Sequence, residues 1–581
     1  MKIKIIVYIV FLVFIIPSYA WVSVGSSPGF GNCTFSSIQA ALNSNDSEIR
    51  VVNDSNFPQN SEENIDVDHS VDIKGGFNSC LSASLNQVTS TNSIIRGTGS
   101  IGGPVVKISS INNPTIRFYN LTLRDAQDTA FVTNGGQGIY IGSSNGIIEV
   151  IDSLIINNAA ENGGGIYVGA TFGTLNLVIT DSSIFGNSAT TRGGGIFCAE
   201  DSTIIRISGN SLIGENSAED GGGIAALNGC KVTVDSGSDL SGDLRGIVAN
   251  TASQFGGGVY LNSAASLTLQ GNKYAFGILG NNTDPVTVAN NIATSKGGGI
   301  YAINSAQIEI IDGFINNNSS SSSHGGGLFL GNSTTTPVSL TMYSSNSSCW
   351  NAEKCSILSG NHSSGNGGGL YLEGGAQATL LNSYVFENRA NFGTAAYVST
   401  INGSGTTLNV EGSYLYENGN NGMDNFTDSY VIRGNGNVDI SLIHTTMADN
   451  DINDSVAIIG IVNSSLSIRN SLLDNHPETI LAQSGTNSFS VSCTIASDLS
   501  SEDFLLFPTS FVDPTNDDYH LASNSQAIDA CAMTTTIEER DSDNQLRGWD
   551  DPIGNFNGTY DAGADESYTN DIIFKNNFEQ E

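Results

Sequence analysis

One pattern recurs along most of this chain and limits what it can fold into. In residues 181–197, DSSIFGNSATTRGGGIF, a turn dipeptide precedes an apolar pair, an Asn, a polar run, three glycines and an Ile-aromatic pair. Similar glycine triplets end at Gly165, Gly195, Gly223, Gly258, Gly299, Gly327 and Gly369. A period of about 20–50 residues indicates a solenoid or a related repeat array, so the repeat is the first guide to the fold.

Each repeat contains short Ile- and Val-rich runs separated by Gly, Asn, Asp and Ser, a composition typical of strands joined by turns. A unit of about 28 residues fits one coil of a parallel β-helix with three strands and three turns. Neighbouring coils would hydrogen-bond at a spacing of about 4.8 Å. Each coil would bury its apolar side chains only by stacking on the next coil. The predicted fold is therefore all-β, a parallel β-helix.

An Asn recurs in register with the glycines. Glycine permits the left-handed backbone of sharp turns, and stacked Asn amides hydrogen-bond along the axis of stacked β structures. We therefore predict an asparagine ladder, with ordinary turn asparagines as the alternative. The predicted members are Asn158, Asn187, Asn216, Asn250, Asn291, Asn317, Asn361, Asn388, Asn418, Asn450 and Asn475.

The charge balance narrows the classes of partner. The chain has 581 residues and a net charge of −36, from 21 Lys and Arg against 57 Asp and Glu. This balance argues against nucleic acid and anionic membrane surfaces as partners. The acidic surface is expected to keep the protein soluble, and binding of divalent cations is the alternative.

The chain begins with a predicted targeting segment. Lys2 and Lys4 precede an apolar stretch at residues 5–16, and small residues follow up to Ala20. This is typical of a secretory signal peptide over residues 1–20, cleaved after Ala20, with an uncleaved anchor as the alternative. The mature chain is predicted to have no transmembrane span.

Export makes a disulfide framework the expected use of the eight cysteines. Their proximity in sequence suggests four local bridges, although eight cysteines allow 105 pairings. The suggested pairs are Cys33–Cys80, Cys198–Cys230, Cys349–Cys355 and Cys493–Cys531.

The remaining organisation follows from the repeats. Residues 21–130 are predicted to form an N-terminal cap and irregular first coils, with a short capping helix at residues 36–42, and residues 131–481 the β-helix repeats. Residues 482–568 are predicted to form a C-terminal cap, and residues 569–581 an acidic tail.

Three sequence features resemble a known group of proteins. FSSIQAAL at residues 35–42, VDIKGGFNSC at residues 71–80 and the GGGIY repeats are similar to secreted bacterial right-handed parallel β-helix proteins. The repeats also resemble the GGA[IL] and FxxN repeats of polymorphic outer membrane proteins, with Gly here in place of Ala. The resemblance implies a right-handed β-helix exported to the cell surface or the extracellular space.

The C-terminal region has a second resemblance. FVDPTNDDYHLASNSQAIDAC, RDSDNQLRG and YDAGADE, within residues 511–568, are similar to the choice-of-anchor Q region of secreted β-helix proteins. The last segment, DIIFKNNFE at residues 571–579, resembles a short IFxxGFE terminus of exported proteobacterial proteins, with Asn577 in place of Gly. A sorting motif is one interpretation of that end, and a frayed acidic tail is the other.

Charged residues of the C-terminal region suggest two kinds of cluster. Asp529, Asp541, Arg547, Asp561 and Glu566 would pin the tail to the last coils through charge-assisted bonds around Arg547. A calcium site is the sharper alternative, since hard cations bind clustered oxygen atoms. Its ligands would be Asp541, Asp543, Asp561 and Asp565. No other cofactor is expected.

Charged residues also recur directly before the glycine triplets. Stacking would bring Arg192 within one coil of both Glu161 and Asp220. The segment SHGG at residues 323–326, which contains His324, is the nearest to a GHG motif, although no RIK follows it. Cross-coil pairing on a solvated edge is the expected role of such residues. Catalysis by Arg192, Asp220 or His324 is the alternative.

Two classes of function follow. The first is an exported, non-catalytic β-helix protein that presents rows of Asn, Ser, Thr and Tyr for adhesion or for contact with a glycan or a protein. The second is a polysaccharide lyase or glycoside hydrolase that acts on an extracellular polysaccharide, because many β-helix proteins that this chain resembles cleave such polymers. The expected partners are extracellular polysaccharide or cell-envelope components. The absence of recognisable hydrolase signatures favours the first class.

Overall fold

The computed structural model describes most of the repeat region and parts of both ends. The described residues are 21–25, 33–53, 64–88, 91–97, 103–108, 112–127, 136–142, 145–169, 173–235, 245–271, 286–331, 336–345, 355–400, 405–419, 427–452, 457–474, 479–496, 510–532, 540–541, 545–549 and 558–568. The predicted signal peptide, the acidic tail, Cys349, Asn475 and Asp543 lie outside these residues, so the predictions made for them stay predictions.

The chain forms a right-handed parallel β-helix in which each turn adds one strand to each of several parallel sheets. We number the sheets 1 to 4 in the order in which a central coil passes through them. Sheet 1 contains Trp21–Val24, Glu48–Val52, Val71–Phe77, Thr115–Tyr119, Gly146–Ile151, Leu175–Thr180, Thr203–Ser208, Lys231–Asp235, Ser266–Gln270, Gln307–Ile311, Ser339–Tyr343, Gln377–Leu381, Thr406–Glu411, Val438–Ile443, Ser465–Arg469 and Ser488–Ser492.

The other three sheets follow around the coil. Sheet 2 contains Ser93–Arg96, Leu121–Arg124, Leu154–Ile156, Ser183–Phe185, Leu212–Gly214, Gly246–Val248, Thr287–Ala289, Phe314–Asn316, Ser356–Ser359, Ser383–Phe386, Tyr414–Tyr416, Thr446–Ala448, Leu472–Asp474 and Ile495–Ala496. Sheet 3 contains Ala159–Asn162, Ser188–Arg192, Ser217–Asp220, Thr251–Phe255, Ile292–Ala293, Ser319–Ser320, His362–Asn366 and Arg389–Phe392. Sheet 4 contains Ile65–Val67, Val106–Ile108, Ile139–Ile141, Ile166–Val168, Ile196–Cys198, Ile224–Ala226, Val259–Leu261, Ile300–Ile303, Leu328–Gly331, Leu370–Leu372, Ala396–Ser399, Ile432–Asn435, Ala457–Val462 and Thr479–Ser484.

The prediction of three strands per coil is wrong for the glycine-rich coils, which have four. The polar run between the Asn and the glycines is extended and pairs with the same run of the next coil, as in Ala159–Asn162 against Ser188–Arg192. This run has almost no apolar residues, so its strand character does not show in the sequence. Inward side chains such as Leu177, Ile179 and Ile184 are fully buried and form one continuous core along the axis.

The predicted asparagine ladder is confirmed. Each buried amide donates from Nδ2 to the Oδ1 atom of the next Asn, and this chain of hydrogen bonds runs from Asn158 to Asn450. One predicted member is wrong. Asn317 has a φ of 54° and occupies the turn, whereas Asn318 provides the ladder amide. The sequence has Asn at both positions, so the repeat pattern alone did not separate them.

The glycine triplets form the corner between sheets 3 and 4. The first glycine has a positive φ, as at Gly297 (67°), which favours glycine. The third glycine faces the ladder: a Cβ on Gly299 would lie 3.0 Å from the Asn318 amide and 2.7 Å from the Gly327 carbonyl oxygen. The glycines and the ladder therefore share one period, because the Asn amides occupy the space that a side chain at the third glycine would fill.

The capping helix at the N-terminus is confirmed as Ile38–Leu42, and the Ser37 hydroxyl accepts a hydrogen bond from the Ala40 N–H at 3.1 Å. Ile38, Ala41 and Leu42 are buried against the first coils. A second short helix, Cys80–Ser84, is an addition that the sequence did not suggest. No helix among the described residues is both long enough and apolar enough to cross a membrane.

Disulfides form within the N-terminal region, within the C-terminal region and between one pair of adjacent coils. The structure contains Cys33–Cys80, Cys198–Cys230 and Cys493–Cys531. The Cys198–Cys230 bridge forms because Cys198 ends a strand of sheet 4 and Cys230 directly precedes Lys231–Asp235 in the next coil, so both lie at one corner. Cys355 is disulfide-bonded, and its predicted partner Cys349 lies outside the described residues.

The described part of the C-terminal cap lies against the outer face of sheet 2. An antiparallel hairpin, Phe511–Asp513 and Asp518–Leu521 around the 3-10 turn Pro514–Asn516, places Tyr519 on Tyr416 with ring centroids 5.0 Å apart. The Tyr519 hydroxyl donates to Asp449 at 3.1 Å. The cap therefore covers outward aromatic side chains of the last coils.

Candidate functional site

Aromatic side chains form a ladder on the outer face of sheet 4. They occupy the second position after a glycine triplet, or after the related segments that end at Gly138 and Ala395. Except at the coil of Ala225, their rings stack from coil to coil with centroids about 5 Å apart. The members are Tyr140, Tyr167, Phe197, Tyr260, Tyr301, Phe329, Tyr371 and Tyr397. Most of these rings are almost fully buried although they point out of the sheet. We call this row the aromatic ladder.

Several residues directly before the triplets cover the aromatic ladder. Phe255, Lys296 and His324 lie over the ring of the following coil: Phe255 stacks on Tyr301 with centroids 4.7 Å apart, and His324 stacks on Tyr371 with centroids 4.6 Å apart. The Lys296 ammonium lies 4.2 Å from the centre of the Phe329 ring. We call these residues the covering column. It explains how rings on an outer sheet face come to be buried.

Arg192 and Asp220 fill a break in the aromatic ladder. Ala225 replaces the aromatic side chain in one coil, and the Arg192 guanidinium crosses that coil to lie 6.0 Å from the centre of the Tyr260 ring. Asp220 lies in the intervening coil, and its carboxylate is 3.5 Å from the Arg192 Nε atom. Burial raises the pKa of Asp220, and the Arg192 charge opposes that shift. At the coil that lacks an aromatic side chain, the Arg192 guanidinium therefore takes the place of the missing ring and lies over the Tyr260 ring of the next coil.

His324 has a comparable structural role. Its Nδ1 accepts the Asn366 N–H at 3.1 Å, so the neutral ring carries its proton on Nε2. Burial lowers the pKa of His324, and the nearby Lys296 charge lowers it further, which keeps the ring neutral at pH 7. The Lys296 Nζ lies 3.5 Å from Glu373, whose side chain also bonds the Tyr371 hydroxyl.

These contacts occupy several polar atoms of the three candidate catalytic residues. A general base needs an accessible lone pair and a pKa near the operating pH. The Nδ1 lone pair of His324 accepts a hydrogen bond, and a guanidinium does not deprotonate. The carboxylate of Asp220 is nearly buried beside Arg192. The structure brings Arg192 and Asp220 together, as predicted, but His324 belongs to a separate contact with Lys296 and Tyr371.

Arg192→Ala is expected to lower the free energy of unfolding by about 1 kcal/mol, since it removes a cation–π contact and a half-exposed ion pair. Urea unfolding of the full chain measures this change. Arg206→Ala is the matched control because Arg206 also bonds a carboxylate, Asp235 at 2.5 Å, but its side chain is 60% exposed. An equal loss in both variants would contradict the role assigned to Arg192.

The predicted C-terminal cluster assembles, but its bonding differs from the prediction. Asp561 accepts the Asp529 N–H at 2.7 Å, and Asp541 accepts the Glu566 N–H at 3.1 Å. Arg547 donates mainly to the Ala564 carbonyl oxygen at 2.8 Å. The carboxylates therefore shape the main chain of the cap, and Arg547 acts on it through backbone carbonyls.

Other groups attach the cap to the coils. The Ala564 N–H donates to the Thr446 hydroxyl at 2.9 Å, and the Gly563 N–H donates to the Asn470 carbonyl oxygen at 2.8 Å. The Cys493–Cys531 disulfide adds a covalent link. Short polar contacts of this kind depend on the tertiary arrangement, so the charged residues of the sequence did not reveal them.

The calcium alternative finds no support in the described part of the cap. Both oxygen atoms of Asp541 and of Asp561 accept main-chain N–H groups. Asp565 accepts the Leu521 N–H at 2.7 Å, and Asp543 lies outside the described residues. Among the described residues, no group of three or more His, Cys, Asp or Glu side chains is arranged to hold a metal ion.

The cap is expected to dock less firmly as the pH rises. Burial raises the pKa of Glu566 to about 7, with Arg547 opposing the shift, and burial and the Glu566 charge raise that of Asp561 well above its usual range. Both values exceed those of the unfolded chain, so the folded cap binds protons more tightly. The stabilisation is complete below about pH 4 and is lost as the pH rises through about 7.

Amide hydrogen exchange of residues 558–568, corrected for intrinsic rates, measures this effect between pH 5.5 and pH 8. We expect protection to fall as the pH rises. Glu566→Gln removes one titrating group and should flatten the profile, whereas Glu309→Gln, on exposed sheet 1, should leave it unchanged. Protection that is constant or rises with pH in the natural chain would contradict the prediction.

The sequence also contains a signal for the aromatic ladder. An Ile-aromatic pair follows most triplets, and alternation along a strand places the Ile inward and the aromatic residue outward. A second missed row lies at the corner between sheets 1 and 2, where the Ser153 N–H donates to Ser182 Oγ at 3.0 Å and the Ser182 N–H donates to Ser211 Oγ at 3.2 Å.

Comparison with known proteins points to one kind of repeat. A family model described as the Chlamydia polymorphic membrane protein (Chlamydia_PMP) repeat matches residues 181–199 and 285–303. Both segments run through sheets 2, 3 and 4, and each contains a ladder residue, Asn187 or Asn291, together with a glycine triplet. The matched unit is therefore the part of a coil that builds the asparagine and aromatic ladders.

A relative shows the same similarity over a longer stretch. "Probable outer membrane protein pmp20" of Chlamydia pneumoniae is 27% identical over 228 residues, which are 36% of this chain and 12% of the relative. The aligned part is thus a small share of that protein. Taken with the parallel sheets, these similarities lead to one conclusion: the chain is a right-handed parallel β-helix protein whose repeats resemble those of the polymorphic membrane proteins of Chlamydia.

Proposed function

We propose that this chain is an exported protein of the cell surface, and that its solenoid acts as a non-catalytic contact surface for adhesion. The relative with similar repeats is described as an outer membrane protein, which supports the location. The predicted signal peptide at residues 1–20 supports export.

The observation that carries the non-catalytic part is the use of Arg192, Asp220 and His324 by the fold. Their polar atoms hold the covering column in place, and their rings or charges lie on the aromatic ladder. The ring faces of the ladder contact each other, so they leave little room to stack a substrate sugar. The solenoid instead offers long exposed sheet surfaces.

Surface location is tested on intact cells that express the full chain. An antibody raised against the repeat region should label intact cells, and added protease should remove the label. A chain with residues 1–20 replaced by a polar segment is the control and should stay unlabelled until the cells are permeabilised. Labelling of the natural chain only after permeabilisation would refute the proposed location.

The adhesive role is tested with beads that carry the purified chain. Coated beads should attach to target cells or extracellular matrix, and the chain should release no unsaturated or reducing sugars from a polysaccharide panel. If product release were seen and lost in Arg192→Ala, the enzymatic alternative would replace this proposal. If coated beads attach no more than uncoated beads and no product is released, the adhesive role is refuted as well.

A further inference from the structure

The outer face of sheet 1 changes character along the solenoid. Its first coils carry alternating charges that pair across strands, as in Arg117 between Asp72 and Glu149. From Ser266–Gln270 to Ser488–Ser492, the first two outward positions of each strand carry mainly hydroxyls and amides, whereas the third carries a mixture that includes Ile311, Tyr343 and Arg469. We call the side chains at the first two outward positions of these later strands the polar face.

Two columns of the polar face are in register through eight successive strands. One column contains Ser266, Gln307, Ser339, Gln377, Thr407, Asp439, Ser465 and Ser488. The other contains Thr268, Glu309, Thr341, Thr379, Asn409, Ser441, Ser467 and Ser490. Members of a column are about 4.8 Å apart, and the columns are about 7 Å apart.

The backbone beneath these columns is firmly held. Between the outward positions lie buried side chains such as Leu267, Leu340 and Leu408, which belong to the continuous core. Each strand is hydrogen-bonded to parallel neighbours on both sides, apart from the last. The outward groups are therefore presented at fixed spacing, which reduces the entropy lost when a ligand binds.

The hydroxyl and amide groups of the two columns are free of internal partners. None of these Ser, Thr, Asn or Gln side chains forms a hydrogen bond with another described residue, and all are at least partly exposed. Glu309 differs, since it accepts a bond from the Tyr343 hydroxyl at 3.4 Å. By contrast, the buried Asn residues at the turns use their amides within the solenoid. The polar face thus offers donors and acceptors to a partner.

The charge of the polar face excludes some classes of partner. The two columns contain two carboxylates, Glu309 and Asp439, and no cation, in a chain of net charge −36. An anionic polymer would be repelled, and a cationic polymer would find few carboxylates with which to form ion pairs. Protein interfaces usually rely on Trp, Tyr and Arg anchors; the two columns contain none of them, and beside the columns the described strands carry Tyr343 and Arg469. An uncharged, hydroxyl-rich polymer matches this chemistry.

We infer that the polar face binds an uncharged, extended polysaccharide laid along the axis of the solenoid. This inference rests on the proposed contact function and names its ligand class and its binding face. Each coil would offer two polar groups to the glycan at a regular spacing, as the repeating hydroxyls of such a polymer require. Affinity would come from many modest hydrogen bonds, so it would grow with the length of the glycan.

The test uses the full chain with cellulose, chitin and amylose as uncharged probes and polygalacturonate as an anionic probe. Retention by at least one uncharged polymer is expected, with no retention by polygalacturonate. Thr341→Ala with Asn409→Ala should weaken that retention about ten-fold, because each lost hydrogen bond contributes modestly. Asn176→Ala with Thr233→Ala is the matched control on the first half of sheet 1 and should have little effect.

Several outcomes would overturn the inference. It fails if none of the uncharged polymers retains the chain, if the anionic polymer is preferred, or if both double variants bind alike. Bead adhesion that persists in Thr341→Ala with Asn409→Ala and is abolished by protease treatment of the target cells would indicate a protein partner. In that case the inference falls while the proposed adhesive function stands. Thermal unfolding of both double variants shows that the fold is retained.

Discussion

Asn291→Ala is expected to destabilise the central coils by about 3 kcal/mol or more, since it leaves several buried polar groups without partners. Asn291 is fully buried. Its Oδ1 accepts the Asn250 N–H at 2.9 Å and the Asn250 side-chain amide at 3.0 Å. Its Nδ2 donates to the Ile247 carbonyl oxygen at 2.9 Å and to Asn318 Oδ1 at 3.0 Å. One substitution therefore breaks the asparagine ladder in the middle.

Urea unfolding and hydrogen exchange of residues 286–303 measure the effect. Because coils contact mainly their neighbours, the faster exchange should spread a few coils from the break and should not reach the ends at once. Asn291→Asp keeps the volume but removes the donor, so it should also destabilise. Asn409→Ala, on the exposed polar face, is the control. A loss at Asn291 no larger than at Asn409 would show that the ladder contributes little stability.

The sequence predicted the features that each coil imposes on its own residues. A left-handed turn favours Gly or Asn, and a buried amide column requires Asn at a fixed place, so both leave a periodic mark. The capping helix was also recognisable, because Ser37 and the face of Ile38, Ala41 and Leu42 are local features. The error at Asn317 arose where two neighbouring Asn residues satisfy the same pattern.

Features that depend on contacts between coils were harder to predict. The fourth strand has no apolar period, since residues such as Ser188–Arg192 pair mainly through their backbone. The role of Arg192 depends on Ala225 in the next coil and on Tyr260 in the one after it, across an insertion of variable length. Sequence spacing alone does not give that register.

The candidate site shows the same limit. Recurrence before the triplets correctly brought Arg192 next to Asp220, but it gave no reason to separate His324 from them. In the cap, carboxylates such as Asp561 suggested ion pairs or a cation, whereas main-chain N–H groups take both of its oxygen atoms. Every residue except proline has such a donor, so composition cannot reveal where the donors converge.

Gly298→Ala is expected to cost about 3 kcal/mol through overpacking between coils. A Cβ at this second glycine of its triplet would lie 2.4 Å from the Gly326 carbonyl oxygen and 2.5 Å from the Ser319 backbone. These are backbone atoms of the next coil, which cannot move away without breaking their own hydrogen bonds, such as the bond from the Gly298 N–H to the Gly325 carbonyl oxygen at 3.0 Å. The φ of Gly298 is not in the left-handed region, so the cost comes from contact alone.

Gly405→Ala separates this cost from backbone strain. Gly405 has a φ of 86°, and a Cβ there would have nothing within 4 Å, so its replacement should cost only about 1 kcal/mol. Urea unfolding of both variants, with hydrogen exchange of residues 286–331, measures the difference. If Gly405→Ala were the more damaging, glycine would be required in this solenoid mainly for its backbone freedom. If Gly298→Ala is the more damaging, as we expect, the triplets set how closely two coils approach, and the asparagine and aromatic ladders depend on that distance.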